Sequence, residues 1–344
     1  MGGRLTMAKI KRLFNDPYDI VEEMVEGYVG AHKQYVKMCD LDEAQGRVVL
    51  ANDAGTKDKV GVIIGGGSGH EPLFIGYVGE DFADAVVIGN INTSPSPDPC
   101  YAAAKACDNG KGCIYLYGNY AGDVMNFDMG AEKADEEDDI RVETVLVTDD
   151  VVSSENIPDR RGIAGDFFVF KVAGAKAATG ADLDEVVAAA QKANDNTRSM
   201  GVAMSSATLP AKGGTIFDME DGDMEIGMGI HGEPGIRRGK IDTADNVIDE
   251  IMEPILKDLP YVEGDEVYVL VNSLGATPLI DLHVCYRRVA RILEEKGIKV
   301  YKALVGPFAC SMDMAGMSVT LMKLDDELKE LMDAPCDTPY FTQK

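Results

Sequence analysis

No stretch of this 344-residue chain holds the roughly 18 consecutive apolar residues that a membrane-spanning helix needs. Met1 to Asn15 carries Arg4, Lys9, Lys11 and Arg12 but no continuous apolar run, so it reads as a cytoplasmic start and not as a secretory signal. Basic residues are scarce. Thirty-three lysines and arginines face 59 aspartates and glutamates, for a net charge of −26. That balance repels phosphate backbones and anionic membranes, which argues against nucleic acid or a lipid surface as partner. The one dense acidic run, Glu132–Asp139, reads as a solvated helix face or loop. Cysteines number seven, an odd count, with no CxxC pair and no zinc-type spacing. Reduced thiols in a cytoplasmic protein fit that pattern, and no metal site is expected.

Hydrophobic residues make up 45% of the chain, enough for a sizeable core. Its most informative stretch is Gly61–Pro72. Val60, Val62, Ile63 and Ile64 form a short apolar run of the kind that makes a buried strand. Gly65, Gly66, Gly67 and Gly69 follow, then His70, Glu71 and Pro72. A phosphate-cradling loop needs Lys-Ser/Thr after its last glycine, and a dinucleotide fingerprint needs glycine where His70 stands. The loop therefore places an imidazole and is not built for a nucleotide; a tight turn with an incidental histidine is the plainer alternative.

Further strands are expected at Arg47–Leu50, Ala85–Ile88, Gly112–Tyr117 and Arg141–Val147, with helices over Pro17–Val36, Cys100–Cys107 and Val124–Ala134. This alternation predicts a mostly parallel sheet, with ligands gathering where its strands end. Three loops should converge there: Gly65–His70, Thr93–Asp98 and Gly118–Asp123. Asp123 is a candidate general base or hydroxyl orienter, or the N-cap of the helix after it. The pattern changes near Asn194–Met200, which divides the chain into residues 1–193 and 194–344. The second part should contain strands at Gly201–Ala207, Val267–Val271 and Lys299–Val305, an acidic hairpin at Asp218–Glu225, and helices over Pro278–Lys296 and Val319–Leu331. The fold class is α/β, with a mostly parallel sheet in the N-terminal domain, a smaller mixed C-terminal domain, and a tail, 335–344, that packs back on the first.

Only four histidines occur. His32 and His283 fall in expected helices and read as structural. The other two lie in glycine-rich loops, one per half, and each is followed closely by Glu-Pro: His70-Glu71-Pro72 and His231-Gly232-Glu233-Pro234. A site between the halves, with one imidazole from each, is the economical reading.

Gly65–Pro72, Thr93–Asp98, Asn119–Phe127 and Gly229–Gly235 together resemble the motifs of the K subunit of dihydroxyacetone kinases, and the resemblance runs over nearly the whole chain. With no trailing nucleotide-binding domain, the chain is most similar to the bacterial, phosphoenolpyruvate-dependent type. The resemblance implies that His231 adds to the carbonyl of a short ketose to give a covalent hemiaminal. It implies that Gly67, Ser68, Gly69 and His70 hold the substrate hydroxyls, and that His70 and Asp123 handle the proton of the hydroxyl to be phosphorylated. No cofactor belongs on this subunit; ADP or ATP with magnesium belongs on a partner L subunit, and a homodimer is expected. One position departs from the family, which usually has lysine just before Asn-Tyr-x-Gly-Asp. Gly118 stands there. A tetrulose kinase (erythrulose as substrate) and a non-catalytic ketose-binding coactivator or sensor remain alternatives.

Overall fold

The computed structural model describes residues 12–344. Most of the basic N-terminal stretch lies outside them. The first half contains α1 (Ile20–His32), β1 (Val36–Met38), β2 (Val48–Ala51), β3 (Gly61–Ser68), β4 (Ala85–Ile91), α2 (Pro97–Cys107), β5 (Cys113–Gly118), α3 (Ala121–Asp138) and β6 (Val142–Val147). Its sheet runs β1-β2-β4-β3-β5-β6, parallel from β4 through β6 and antiparallel at the β1–β2 edge. Nearly every residue of β3 and β5 is buried, so both faces of the sheet must be covered. Two helix pairs supply the cover. One is α2 with α3; the other is α4 (Asp166–Ala178) with α5 (Leu183–Asp195).

The second half contains β7 (Thr197–Ala203), β8 (Thr208–Leu209), β9 (Gly214–Thr215), β10 (Asp223–Ile226), β11 (Arg237–Lys240), α6 (Ala244–Asp258), β12 (Glu266–Ser273), α7 (Leu279–Glu295), β13 (Lys299–Gly306), β14 (Gly316–Leu324) and α8 (Asp326–Asp333). The larger sheet is β11-β10-β7-β14-β12-β13, antiparallel except for β12–β13. Its alternation shows how the halves are joined. Val267, Val269 and Val271 enter the core under α6 and α7, while Tyr268 and Leu270 enter the core shared with the first half. There the Tyr268 ring meets Phe168 of α4 at 5.2 Å. A final hairpin, β15 (Cys336–Asp337) with β16 (Thr342–Gln343), lies against the first half. The amide of Tyr340 donates to the Gly76 carbonyl, and Phe341 packs edge-on to Phe82 and Phe167.

Three local expectations change. The acidic stretch Asp218–Glu225 is not itself a hairpin; it leads into β10, whose partner β11 lies beyond the His231 loop. Val319–Leu331 is not one helix. Its first part belongs to β14, a central strand buried on both faces, and the helix begins only after Asp325, whose side chain accepts from the Leu328 amide at 2.8 Å. Buried central strands lose the period-two signal, and Met, Leu and Lys also favour helix. The glycine run, finally, is not a loop: Gly65–Ser68 continues β3, paired with β4.

Candidate functional site

The glycines of β3 are explained by close approach. A Cβ on Gly67 would sit 2.7 Å from the Thr93 amide nitrogen, so the loop after β4 can press on the strand only if no side chain intervenes. The strand ends in a turn held by Glu71, whose carboxylate oxygens accept from the Gly69 amide at 3.1 and 3.0 Å. The turn delivers His70 into the interior, 1% exposed. Its Nδ1 lies 2.8 Å from the carbonyl oxygen of Cys310. A carbonyl only accepts, so Nδ1 carries the proton and Nε2 holds the lone pair. Burial, reinforced by His231, pushes the His70 pKa down to about 3 and keeps the ring neutral. Nε2 is buried and has no partner among the described residues.

The Cys310 carbonyl is itself fixed. Asn272, at the end of β12 and fully buried, accepts the amides of Phe308 and Ala309 at 2.9 Å each and donates to the Ala309 carbonyl at 2.7 Å.

His231 comes from the loop between β10 and β11. Gly232 has φ +89°, which permits the turn that follows. Glu233 folds back: one carboxylate oxygen accepts from the His231 amide at 2.5 Å and the other lies 2.9 Å from Nδ1. Nδ1 again donates, so in the neutral ring Nε2 holds the lone pair. Burial pushes the Glu233 pKa up, but its contacts with His231 and Arg161 prevail and hold it below the usual range. Arg161 stands 3.7 Å from Glu233 and 2.8 Å from Asp150. The two histidine rings meet edge to face, centroids 4.7 Å apart, and Tyr120 meets His231 on another side at 4.6 Å.

Between them lies a pocket of about 270 Å³, lined by Gly65, Gly66, Gly67, His70, Phe74, Gly118, Tyr120, Asp123, Asp166, Ile230 and His231. Its lining is compact and carries several polar groups, which suits a small polar molecule. Asp123 is the third residue of α3, with Tyr120 in the N-cap position. Its Oδ1 is buried without a partner among the described residues. Burial pushes its pKa up to about 6, against the opposing pull of Ser94 and His231.

Of the residues singled out in the sequence, His70, His231, Asp123, Gly67 and Gly118 line this pocket. Ser68 and Gly69 do not; the Ser68 hydroxyl donates to the Gly89 carbonyl and the Gly69 amide is engaged by Glu71. The Thr93–Asp98 loop stands behind the lining, where Asn126 donates to Ser94 and Pro95. His32 and His283 lie in α1 and α7, away from the lining residues. Asp166, Tyr120, Glu233, Arg161 and Asn272 were not anticipated. The His231-x-Glu233 spacing could have signalled the carboxylate; nothing in the sequence marks Asp166, which reads as an ordinary first-turn acid of α4.

The Dak1 domain family matches residues 26–340. The dihydroxyacetone-binding subunit of a PTS-dependent dihydroxyacetone kinase 2 from Listeria innocua is 60% identical over 332 residues, 96% of this chain and 99% of its own. An L-erythrulose 1-kinase of Mycolicibacterium smegmatis is 43% identical over 96% of this chain, which spans only 57% of that longer protein. The solved structure of a dihydroxyacetone kinase operon co-activator, DhaQ, superposes with a TM-score of 0.86 at 28% identity, covering 94% of this chain and 98% of its own. The chain belongs to the Dak1 domain family.

Proposed function

We propose that this chain is the ketose-binding subunit of a dihydroxyacetone-type kinase, most similar in arrangement to the PTS-dependent enzymes, and that it is catalytic. The observation that carries this reading is the pair of imidazoles. Each has its Nδ1 committed as a donor, to Cys310 or Glu233, and each turns Nε2 toward one small pocket. A neutral imidazole nitrogen is a competent nucleophile toward a ketone carbon.

In this reading Nε2 of His231 adds to the carbonyl carbon of dihydroxyacetone. The carbonyl π electrons move to oxygen; Nδ1 gives up its proton through Glu233, and one proton is returned to the new alkoxide from solvent, so the net movement is of one proton from Nδ1 to oxygen. The product is a neutral hemiaminal, and polyols such as glycerol are excluded because they offer no carbon to attack. The amide of Gly67 and the Gly65–Gly67 wall hold the adduct, with Ser68 and Gly69 shaping that wall. Asp123 accepts the proton of the terminal hydroxyl as it takes the phosphoryl group, and His70 orients that hydroxyl. The phosphoryl group would come from ATP with magnesium on an L-type partner subunit, leaving ADP there, and positioning dominates such a transfer. The boundary near residue 193 then separates the part carrying His70 and Asp123 from the part carrying His231.

A four-carbon ketose such as erythrulose is the second reading, supported by the erythrulose kinases among the relatives; Gly118 itself adds no room, because a Cβ there would meet the Tyr120 ring at 3.1 Å and the Gly162 carbonyl oxygen at 3.2 Å. Self-association has a candidate surface as well. Among the described residues the edge strand β13 has no partner on one side, and Leu279, Ile280 and Val284 of the adjoining α7 are exposed.

The test is phosphoryl transfer to dihydroxyacetone in the presence of a nucleotide-loaded L subunit. A catalytic subunit supports transfer, and Asp123→Ala abolishes it while leaving the adduct intact. A coactivator forms the adduct but supports no transfer.

A further inference from the structure

Asp166 opens α4 with its side chain in the interior, 1% exposed, yet it lines the same pocket as His70, Asp123 and His231. Its Oδ1 is buried and finds no hydrogen-bond partner among the described residues. The neighbouring Asp149 shows what a structural carboxylate looks like here. It is fully buried, and its two oxygens accept from the amides of Ile163 and Gly165 at 2.8 Å each. Asp166 has no such engagement. A buried polar atom left unsatisfied destabilises the fold, so its persistence needs another reason.

The position of the carboxyl supplies one. A Cβ on Gly162 would stand 2.5 Å from the Gly118 Cα and 3.1 Å from the Asp166 Oδ1. The carboxyl oxygen therefore lies close to the backbone of Gly118, and both residues line the pocket, so a ligand held there can meet Asp166. Burial, with Asp149 and Asp123 nearby, raises the Asp166 pKa well above the carboxylate range. The group is a neutral acid that can donate as well as accept, which suits a hydroxyl partner.

We infer that Asp166 is a substrate-binding residue, whose carboxyl hydrogen-bonds a ketose hydroxyl other than the one that takes the phosphoryl group. The assignment rests on the ketose reading above. His70 and Asp123 serve the acceptor hydroxyl, and Asp166 serves a hydroxyl directed toward Gly118. The free protein carries an unsatisfied group that the ligand satisfies.

Calorimetric titration of the full-length protein with dihydroxyacetone and, separately, with erythrulose tests this, together with thermal unfolding of the ligand-free protein. Asp166→Ala and Asp166→Leu should each weaken binding of the ketose by about tenfold or more, whereas Asp166→Asn, which keeps a donor and an acceptor, should stay within about threefold. Asp166→Leu should also raise the unfolding midpoint of the free protein, because it removes an orphaned polar group. Unchanged binding in the alanine and leucine variants overturns the assignment and leaves the ketose reading standing. A lowered midpoint in the leucine variant overturns it too, since the carboxyl would then be holding the fold. If the unmodified protein binds neither ketose, the ketose reading falls and this assignment falls with it.

Discussion

His70 Nδ1 donates to the carbonyl oxygen of Cys310 at 2.8 Å, across 240 residues of sequence. This bond fixes the tautomer of a histidine from one half of the chain with a backbone group from the other. Asn272 holds the loop that carries the carbonyl, so the lone pair on His70 Nε2 depends on a fully buried amide in the second sheet.

Replacing Asn272 with alanine strands the amides of Phe308 and Ala309 and frees Cys310 to move. The expected loss of stability is about 2–4 kcal/mol, measured by denaturant unfolding. Phosphoryl transfer should fall as well, because His70 loses its fixed acceptor.

Glu233→Gln should leave the fold intact and slow adduct formation by up to about 10⁴-fold, the loss that follows when a histidine is held in the wrong tautomer. Glu233 accepts from two donors, the His231 amide and Nδ1. Glutamine has only one side-chain oxygen, and the backbone amide can do nothing but donate to it. The glutamine NH₂ is then left facing Nδ1, which must accept, and the proton moves to Nε2, where the nucleophilic lone pair is needed. Rapid-mixing measurement of ketose binding checks this.

The pH dependence of transfer should report Asp123. Its pKa is pushed up to about 6, so a base role gives a rate that rises with pH through that value and levels above it. Asp123→Asn should remove this limb and reduce the rate by about 10²–10⁴-fold.

His70 also shapes acid stability. Its pKa falls to about 3 in the folded protein from an ordinary value of 6.5. Between these values the unfolded chain binds more protons, so the contribution of His70 is fully present above pH 6.5 and is lost as the pH drops toward 3. The slope approaches ~1.4 kcal/mol per pH unit. Asp123, with a raised pKa, works in the opposite sense over about pH 4–6, because its ionisation costs folded stability. His70→Asn should flatten the acid slope measured by unfolding at pH 6.5, 5.5 and 4.5.

The sequence was most legible where chemistry and backbone demand coincide. Gly65–Pro72 and Gly229–Gly235 combine glycines needed for close approach with histidines that packing does not explain, and both histidines line the pocket. The alternating first half was readable for a related reason, since its strands are short apolar runs separated by turn residues. Legibility failed where local pattern and tertiary role diverge. The residues of β14 face two cores at once and so show no alternation. The glycine run reads as a loop because glycine seldom strengthens a strand, and what accounts for it is the approach of residues outside the run, Val87 and Phe127 on Gly65, Phe74 on Gly66 and Thr93 on Gly67. Asn272 acts on Phe308 and Ala309, 36 and 37 residues away, Arg161 reaches Glu233 in the other half of the chain, and Asp166 stands out by the absence of a partner among the described residues; no local spacing encodes that.

The central claim is a covalent bond between His231 and a ketose. Intact-protein mass spectrometry after incubation with dihydroxyacetone or erythrulose, beside a His231→Ala control, tests it most directly. The expected result is a mass increase equal to one ketose that is absent in the control. An adduct that persists in His231→Ala, or none with either ketose under conditions where calorimetry shows binding, would contradict the covalent role of His231.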